Sequence, residues 1–202
     1  MGLHVDVWSD FVCPWCYLAS TSLEKLQDSH GVTVAWRAYE LRPKGSPPPP
    51  RDYIERIKQM RPQFIAMAKQ QYGIDINQGK FGIDSRPAMI GEKFAEQHGI
   101  GAAYHKAVFE AYWLEAKNIE DSDVLGEIAE SLGLVREDFL SALDNGVLEN
   151  AVDADVEAAR IRQIQGVPAL VFEDKFLIPG AQPYDELVRF VEQMERRLGK
   201  QA

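Results

Sequence analysis

The hydrophobic period of this chain changes twice, and that change restricts its fold more than any other property. At the N-terminal end Val5, Val7, Trp8 and Phe11 mark a short buried strand that runs into a turn at Cys13. Pro14 then opens a helix carrying Leu18, Leu23 and Leu26 to about Gln27, stopped before His30-Gly31. The stretch from Val32 to Tyr39 is β-branched, aromatic and alternating, which predicts a second strand. The opening is therefore β-α-β, with Cys13 at the C-terminal end of the first strand, where open α/β sheets place their chemistry.

Arg42-Pro43-Lys44-Gly45-Ser46 and the run Pro47 to Pro50 break this pattern with a stiff, extended spacer, read as a surface loop. From about Asp52 to Gly146 the period is helical, with no strand. Helices are expected over Tyr53–Met60 and Pro62–Tyr72, then from a capped start at Asp84-Ser85 with Pro87 to His98, and over Ala102–Ala116. The last of these carries Val108, Phe109, Tyr112, Trp113 and Ala116 as one buried stripe. Shorter helices follow at about Ser122–Leu132 and Arg136–Asp144, and a further one at about Leu148–Gln165. Strand character then returns in Ala169-Leu170-Val171-Phe172. Glu173-Asp174-Lys175 turns the chain and Phe176-Leu177-Ile178 pairs back as a hairpin. Pro183 opens a last helix, acidic in its first turn at Asp185 and Glu186 and basic in its last at Arg196 and Arg197.

Strand chemistry confined to the two ends, around a helical block, reads as an α/β protein: a thioredoxin-like fold split by an all-helical insertion. A length of 202 residues suits one domain carrying an insertion. The expected division is residues 1–45 with 147–202 for the thioredoxin-like part and 46–146 for the insertion. Such a chain buries roughly two-thirds of its unfolded surface and needs no disulfide or metal to stay folded.

The chain has two cysteines, separated only by Pro14-Trp15. Closing so short a loop removes little chain entropy, so the pair is read as reactive rather than as a structural cross-link. Disulfide exchange needs one sulfur that is a thiolate near neutral pH and can be reached, and a second close enough to resolve the mixed disulfide. Cys13 falls at a helix N-cap, where unpaired N–H groups favour negative charge, and Pro14 suits the first helical position. Cys13 is therefore assigned as nucleophile and Cys16, one turn on and deeper, as resolving thiol. Trp15 between them is expected to face solvent, partly cover the sulfurs and offer an apolar contact to substrate. Zinc is the rival for the pair. There is no second cysteine pair, and His4, His30, His98 and His105 form no short His pair, so no metal is expected. His98 and His105 read as ordinary helix residues.

Gly166-Val167-Pro168 is the second constellation. Proline at the entrance to a buried strand gives up a ladder donor and in isolation reads as an ordinary trans edge residue. Beside a Cys-x-x-Cys at the end of the first strand, a cis bond becomes the better reading, turning the backbone of Val167 toward a docked substrate. The net charge of −9, without any Lys/Arg block, argues against nucleic acid and anionic membrane as partners. No apolar run approaches the roughly 20 residues that cross a bilayer. Met1 leads directly into the strand pattern without a basic or apolar leader, so a cytoplasmic location is expected.

With these residues in place the chain resembles the DsbA family of thioredoxin-like proteins, and most closely its FrnE-like cytoplasmic branch. The resemblance rests on Val7-Trp8-Ser9-Asp10-Phe11-Val12-Cys13-Pro14-Trp15-Cys16-Tyr17, on the segment Tyr104 to Trp113, on Gly166 to Phe172 and on Gly180-Ala181-Gln182-Pro183. It implies a helical insertion over the active site, a cis bond before Pro168, and dithiol–disulfide chemistry at Cys13 and Cys16. Exported members of the family carry a signal peptide and some FrnE-like members carry extra C-terminal cysteines; this chain shows neither.

The leading expectation is a thiol–disulfide oxidoreductase with Val167, Pro168 and Trp15 lining its docking groove. It would need no cofactor, with glutathione a candidate redox partner, and would act on a protein or small-molecule thiol or disulfide as a monomer or homodimer. Two alternatives stay open. One is a glutathione-dependent enzyme, since the same fold and insertion resemble kappa-class glutathione transferases and 2-hydroxychromene-2-carboxylate isomerases, which usually place a serine near the position of Cys13. The other is a non-enzymatic binding protein with a redox-sensitive latch.

Overall fold

The computed structural model describes residues 2–43 and 45–199. Strand β1 (His4–Ser9), helix α1 (Pro14–His30) and strand β2 (Thr33–Ala38) open the chain. Helices α2 (Arg51–Tyr72), α3 (Arg86–Gln97), α4 (Gly101–Trp113), α5 (Ser122–Ser131), α6 (Arg136–Asp144) and α7 (Glu149–Ile161) follow. Strands β3 (Ala169–Phe172) and β4 (Phe176–Pro179) and helix α8 (Tyr184–Leu198) complete it. The sheet order is β2-β1-β3-β4, with β1 parallel to β2 and antiparallel to β3, and β3 antiparallel to β4. This is the DsbA-like thioredoxin architecture: a mixed four-stranded sheet with helices inserted between its two halves.

Alternation in β1 sorts its side chains onto two faces. Val5 and Val7, opposite Phe172 and Leu170, face a core made with Leu23 and Leu26 of α1 and Leu187 and Val191 of α8. Trp8, opposite Ala169, packs on the other side against Ala159 of α7 and Ile164. That second side also carries charge. Asp155 of α7 accepts the Ala38 N–H at 3.0 Å and pairs with Lys93 of α3 at 2.8 Å, while its own carbonyl accepts the Trp8 indole N–H at 2.9 Å. Arg37 of β2 pairs with Asp6 of β1 at 2.7 Å and lies 3.6 Å from Asp155. Polar groups buried this deeply are tolerated because each finds a partner. The apolar cluster of the helical block is continuous with Phe11, Cys13, Cys16 and Tyr17, so inserted helices and cysteine segment share one core.

Five helices depart from expectation at a boundary, each for a local reason. Tyr53–Met60 and Pro62–Tyr72 are one helix, with Pro62 inside it. The lost N–H would have bonded the Lys58 carbonyl; Ala68 is the only buried residue of α2, so that carbonyl faces solvent and the break is avoided. Helix α4 stops at Trp113 because Ala116 takes a left-handed φ of 57°, and α7 stops at Ile161 ahead of Gln163 at 58°. The start of α3 is held by Asp84, whose Oδ1 accepts the Arg86 N–H at 2.9 Å, rather than by Ser85. Helix α1 runs on to His30 and ends on Gly31, whose φ of 62° lets its N–H reach the Gln27 carbonyl at 2.9 Å. Among the described residues no helix is long and apolar enough to cross a membrane.

Replacing Asp155 by alanine leaves the Ala38 N–H unpaired and takes a carboxylate from buried Lys93. The expected loss is about 3 kcal/mol of unfolding free energy in urea titrations. Combining Asp155→Leu with Lys93→Met is expected to lose less than Asp155→Ala alone.

Candidate active site

The site is assembled where β1 ends. Ser9 is the last strand residue, Asp10-Phe11-Val12 makes the turn, and Cys13 caps α1 with an extended φ,ψ of −89°, 117°. Its N–H bonds the Asp10 carbonyl at 3.0 Å, and its own carbonyl receives the N–H groups of Cys16 and Tyr17 at 3.1 and 3.2 Å. Pro14 occupies the first helical position, where its missing N–H has no partner to lose. The sequence expectation of a helix N-terminus beneath the first sulfur is met.

Both cysteines are free thiols, and their environments differ. The Cys16 thiol hydrogen-bonds the Cys13 sulfur, and the backbone N–H groups of Cys16 and Trp15 add to it; together they hold the Cys13 thiol below its ordinary range, against the opposing effects of burial and the Asp10 charge. Burial drives the Cys16 thiol well above that range, and the neighbouring Cys13 pushes the same way. One sulfur is thus the favoured thiolate and the other the favoured thiol.

Asp10 is itself almost completely buried. Its Oδ1 accepts the Val12 N–H at 3.1 Å and its Oδ2 the Leu41 N–H at 2.8 Å. Burial raises its carboxyl to about 6, although these hydrogen bonds pull it down. In the sequence Asp10 stood out only as one residue of the segment around the cysteines. Its role in joining the redox turn to the segment after β2 depends on a contact across thirty-one positions of chain.

Val167 and Pro168 arrive from the far end of the sequence. The bond between them is cis, and the Val167 carbonyl lies 3.6 Å from the Cys13 sulfur, within reach of its S–H. The structure therefore brings Cys13, Cys16, Val167 and Pro168 together. Cys13 is only 3% exposed, less open than the reachable sulfur the sequence suggested, because the Val167 carbonyl and the shared core close around it. Trp15 is 47% exposed, as expected of the residue between the cysteines.

The sequence did not foresee what Trp15 faces. Phe64 of α2 meets its ring edge-on with centroids 5.5 Å apart, and Trp113 of α4 lies 6.5 Å beyond Phe64. Trp113 donates its indole N–H to the Phe11 carbonyl at 2.9 Å, fixing it beside the turn. A cleft of about 320 Å³ opens between α2 and the Pro14-Trp15 turn. A second depression, about 390 Å³, runs along Gly166-Val167-Pro168 and the outer strand β4. His98 bonds the Phe94 carbonyl at 2.8 Å. His105 bonds the Glu92 carboxylate at 2.7 Å and stacks on Trp36 at 3.7 Å; its packing against Phe11, 5.0 Å away, supports the redox turn from behind.

Comparison with known proteins agrees with this architecture. The chain is 31% identical to the uncharacterized protein YwbO of Bacillus subtilis (strain 168), over 98% of this chain and 100% of that one. It is 30% identical to a 2-hydroxychromene-2-carboxylate isomerase of Pseudomonas putida, over 85% of this chain and 86% of that one. It superposes on the solved selenomethionine structure of a 2-hydroxychromene-2-carboxylate isomerase with a TM-score of 0.80 at 28% identity, covering 96% of each chain. Residues 4–192 match the model of the DSBA-like thioredoxin domain, and the chain belongs to that family.

Proposed function

We propose that this protein is a thiol–disulfide oxidoreductase working through Cys13 and Cys16. The observation that carries this reading is the pair of free thiols in mutual hydrogen-bond contact at a helix N-terminus, one held down in pKa and the other driven up. The Cys13 thiolate attacks one sulfur of a substrate disulfide, forming a mixed disulfide and releasing the other half as a thiolate, which takes a proton. Cys16 then gives up its proton and attacks the Cys13 sulfur. The remaining half leaves as a thiol, and Cys13–Cys16 is left as a disulfide. The substrate gains two electrons and the protein loses two. Two equivalents of a low-molecular-weight thiol, with glutathione the candidate, return the pair to its reduced form.

The Val167 backbone beside Pro168 and the exposed face of Trp15 form the docking walls on either side of Cys13. The chemistry requires neither metal nor flavin. A cytoplasmic setting, where such a pair is kept reduced, is part of this proposal.

A second reading is favoured by the identity with the Pseudomonas putida isomerase and by the structural superposition: glutathione-dependent isomerisation, in which Cys13 stands alone and Cys16 is dispensable. Single substitutions separate the two. Under the redox reading Cys13→Ser reduces disulfide turnover to the uncatalysed background, and Cys16→Ser allows one attack and accumulates the mixed disulfide in intact-mass spectra. Multiple turnover by Cys16→Ser on glutathione-dependent substrates would favour the isomerase reading.

Two pH dependences follow. The rate of Cys13 alkylation by iodoacetamide is expected to rise at a pH below that of an ordinary thiol. Asp10→Asn removes a negative charge that opposes the thiolate, so in that variant the rise comes at still lower pH. A carboxyl whose pKa is raised by folding stabilises the fold while protonated and loses that contribution as pH climbs from its ordinary value of 3.8 through about 6. In urea titrations the wild type is therefore expected to lose stability relative to Asp10→Asn across that window, by about 3 kcal/mol at most.

A further inference from the structure

Helix α2 has an unusual apolar face. Ile57, Met60, Phe64 and Met67 follow helical spacing and would ordinarily be core. Yet Met60 is 61% exposed, and the only buried residue of the helix is Ala68. The stripe borders the cleft of about 320 Å³, where Phe64 meets the Trp15 ring edge-on with centroids 5.5 Å apart and Trp113 lies 6.5 Å from Phe64. Pro14 and Trp15 form one wall of this cleft, so it is continuous with the redox turn. Its volume is at the small end for a ligand site, enough for one or two fused rings and too small for a folded protein segment. At its rim stands Arg61. Lys58 and Lys69 of the same helix are paired with Glu55 and Asp75, but Arg61 makes no ion pair among the described residues. On a chain of net charge −9, an unpaired cation beside an aromatic cleft selects for an anion.

We infer that this cleft binds the aromatic part of a small thiol or disulfide that also bears a carboxylate, with the ring against the edge-packed Trp15 and Phe64 and the carboxylate toward Arg61. The inference rests on the redox reading and gives it a substrate class. The burial of Cys13 acts in the same direction: a small ligand seated in the cleft can present its sulfur where a bulky protein disulfide is obstructed.

The test has two arms. In the first, reduced protein is mixed by stopped flow with dithiobis(nitrobenzoate), an aryl carboxylate disulfide, with neutral dithiodipyridine, and with bis(hydroxyethyl) disulfide. Phe64→Ala is expected to lower the ratio of aryl to alkyl rate constants about tenfold, the scale of a lost aromatic contact. Arg61→Gln is expected to lower the ratio of carboxylate to neutral aryl rate constants about threefold. Met60→Ser, at an exposed position, is expected to act in the direction of Phe64→Ala and covers the case in which that variant does not fold. Unchanged ratios in all three variants would overturn the inference.

In the second arm, the doubly substituted Cys13→Ser, Cys16→Ser protein, which cannot exchange disulfides, is titrated with naphthoate while tryptophan fluorescence is read. Saturable quenching that weakens about tenfold in the Phe64→Ala background supports the cleft assignment. Quenching that is absent, or indifferent to Phe64 and Arg61, overturns it. Naphthoate binding with no disulfide exchange by the wild type would sink the redox reading, and with it the substrate class, while leaving an aromatic carboxylate site. Exchange with unaltered ratios and no binding would sink the cleft and leave the redox reading standing.

Discussion

The carboxyl group of Asp10 joins parts of the site that sequence keeps apart. One oxygen holds the Val12 N–H in the turn before the cysteines, and the other holds the Leu41 N–H where the chain leaves β2. The carbonyl of the same residue takes the Cys13 N–H. A buried residue with these three contacts, two through its carboxyl and one through its backbone carbonyl, sets the direction from which α1 starts, and therefore where the Cys13 sulfur stands against Val167. It also places a titratable charge in the field of that sulfur. Geometry and electrostatics of the site meet in one side chain, which explains why an acidic group persists where burial opposes its ionisation.

The inequality of the two sulfurs follows from the start of the helix. Cys13 sits ahead of the first turn, where the backbone N–H groups of Cys16 and Trp15 favour negative charge on its sulfur. Cys16 is one turn further in, surrounded by the apolar cluster shared with Phe11 and Tyr17. Hydrogen bonds to one sulfur and desolvation of the other push in opposite directions. A dithiol whose members differ in this way has a defined order of attack, and disulfide exchange requires such an order.

The inserted helices act on the site in two ways. Lys93 of α3 meets Asp155 beside the sheet, and Trp113 of α4 meets the Phe11 carbonyl, so the insertion is anchored both at the sheet and at the turn before the cysteines. Helix α2 touches the Trp15 ring through the edge of Phe64, and the rest of its apolar stripe is left beside the cleft. Recognition of a small ligand is the role proposed for that stripe.

Much of this was legible in the residues alone. Two cysteines at one-turn spacing after a strand, with a helix-opening proline behind the first, determine that the pair sits at a helix N-terminus, since strand, turn and helix are all local. Alternation in β1 and β2 and the helical period from α2 to α6 determine the split α/β arrangement for the same reason. What tertiary structure alone decided is long-range. The contact of Asp10 with Leu41, the burial of the Cys13 sulfur and the meeting of Trp15 with Phe64 each join segments whose separation carries no local signal, whereas the nearness of Val167 to the cysteines was already expected from the two motifs together. Even the unbroken course of α2 through Pro62 depends on solvent around the helix, a property of the folded surface that no window of sequence contains.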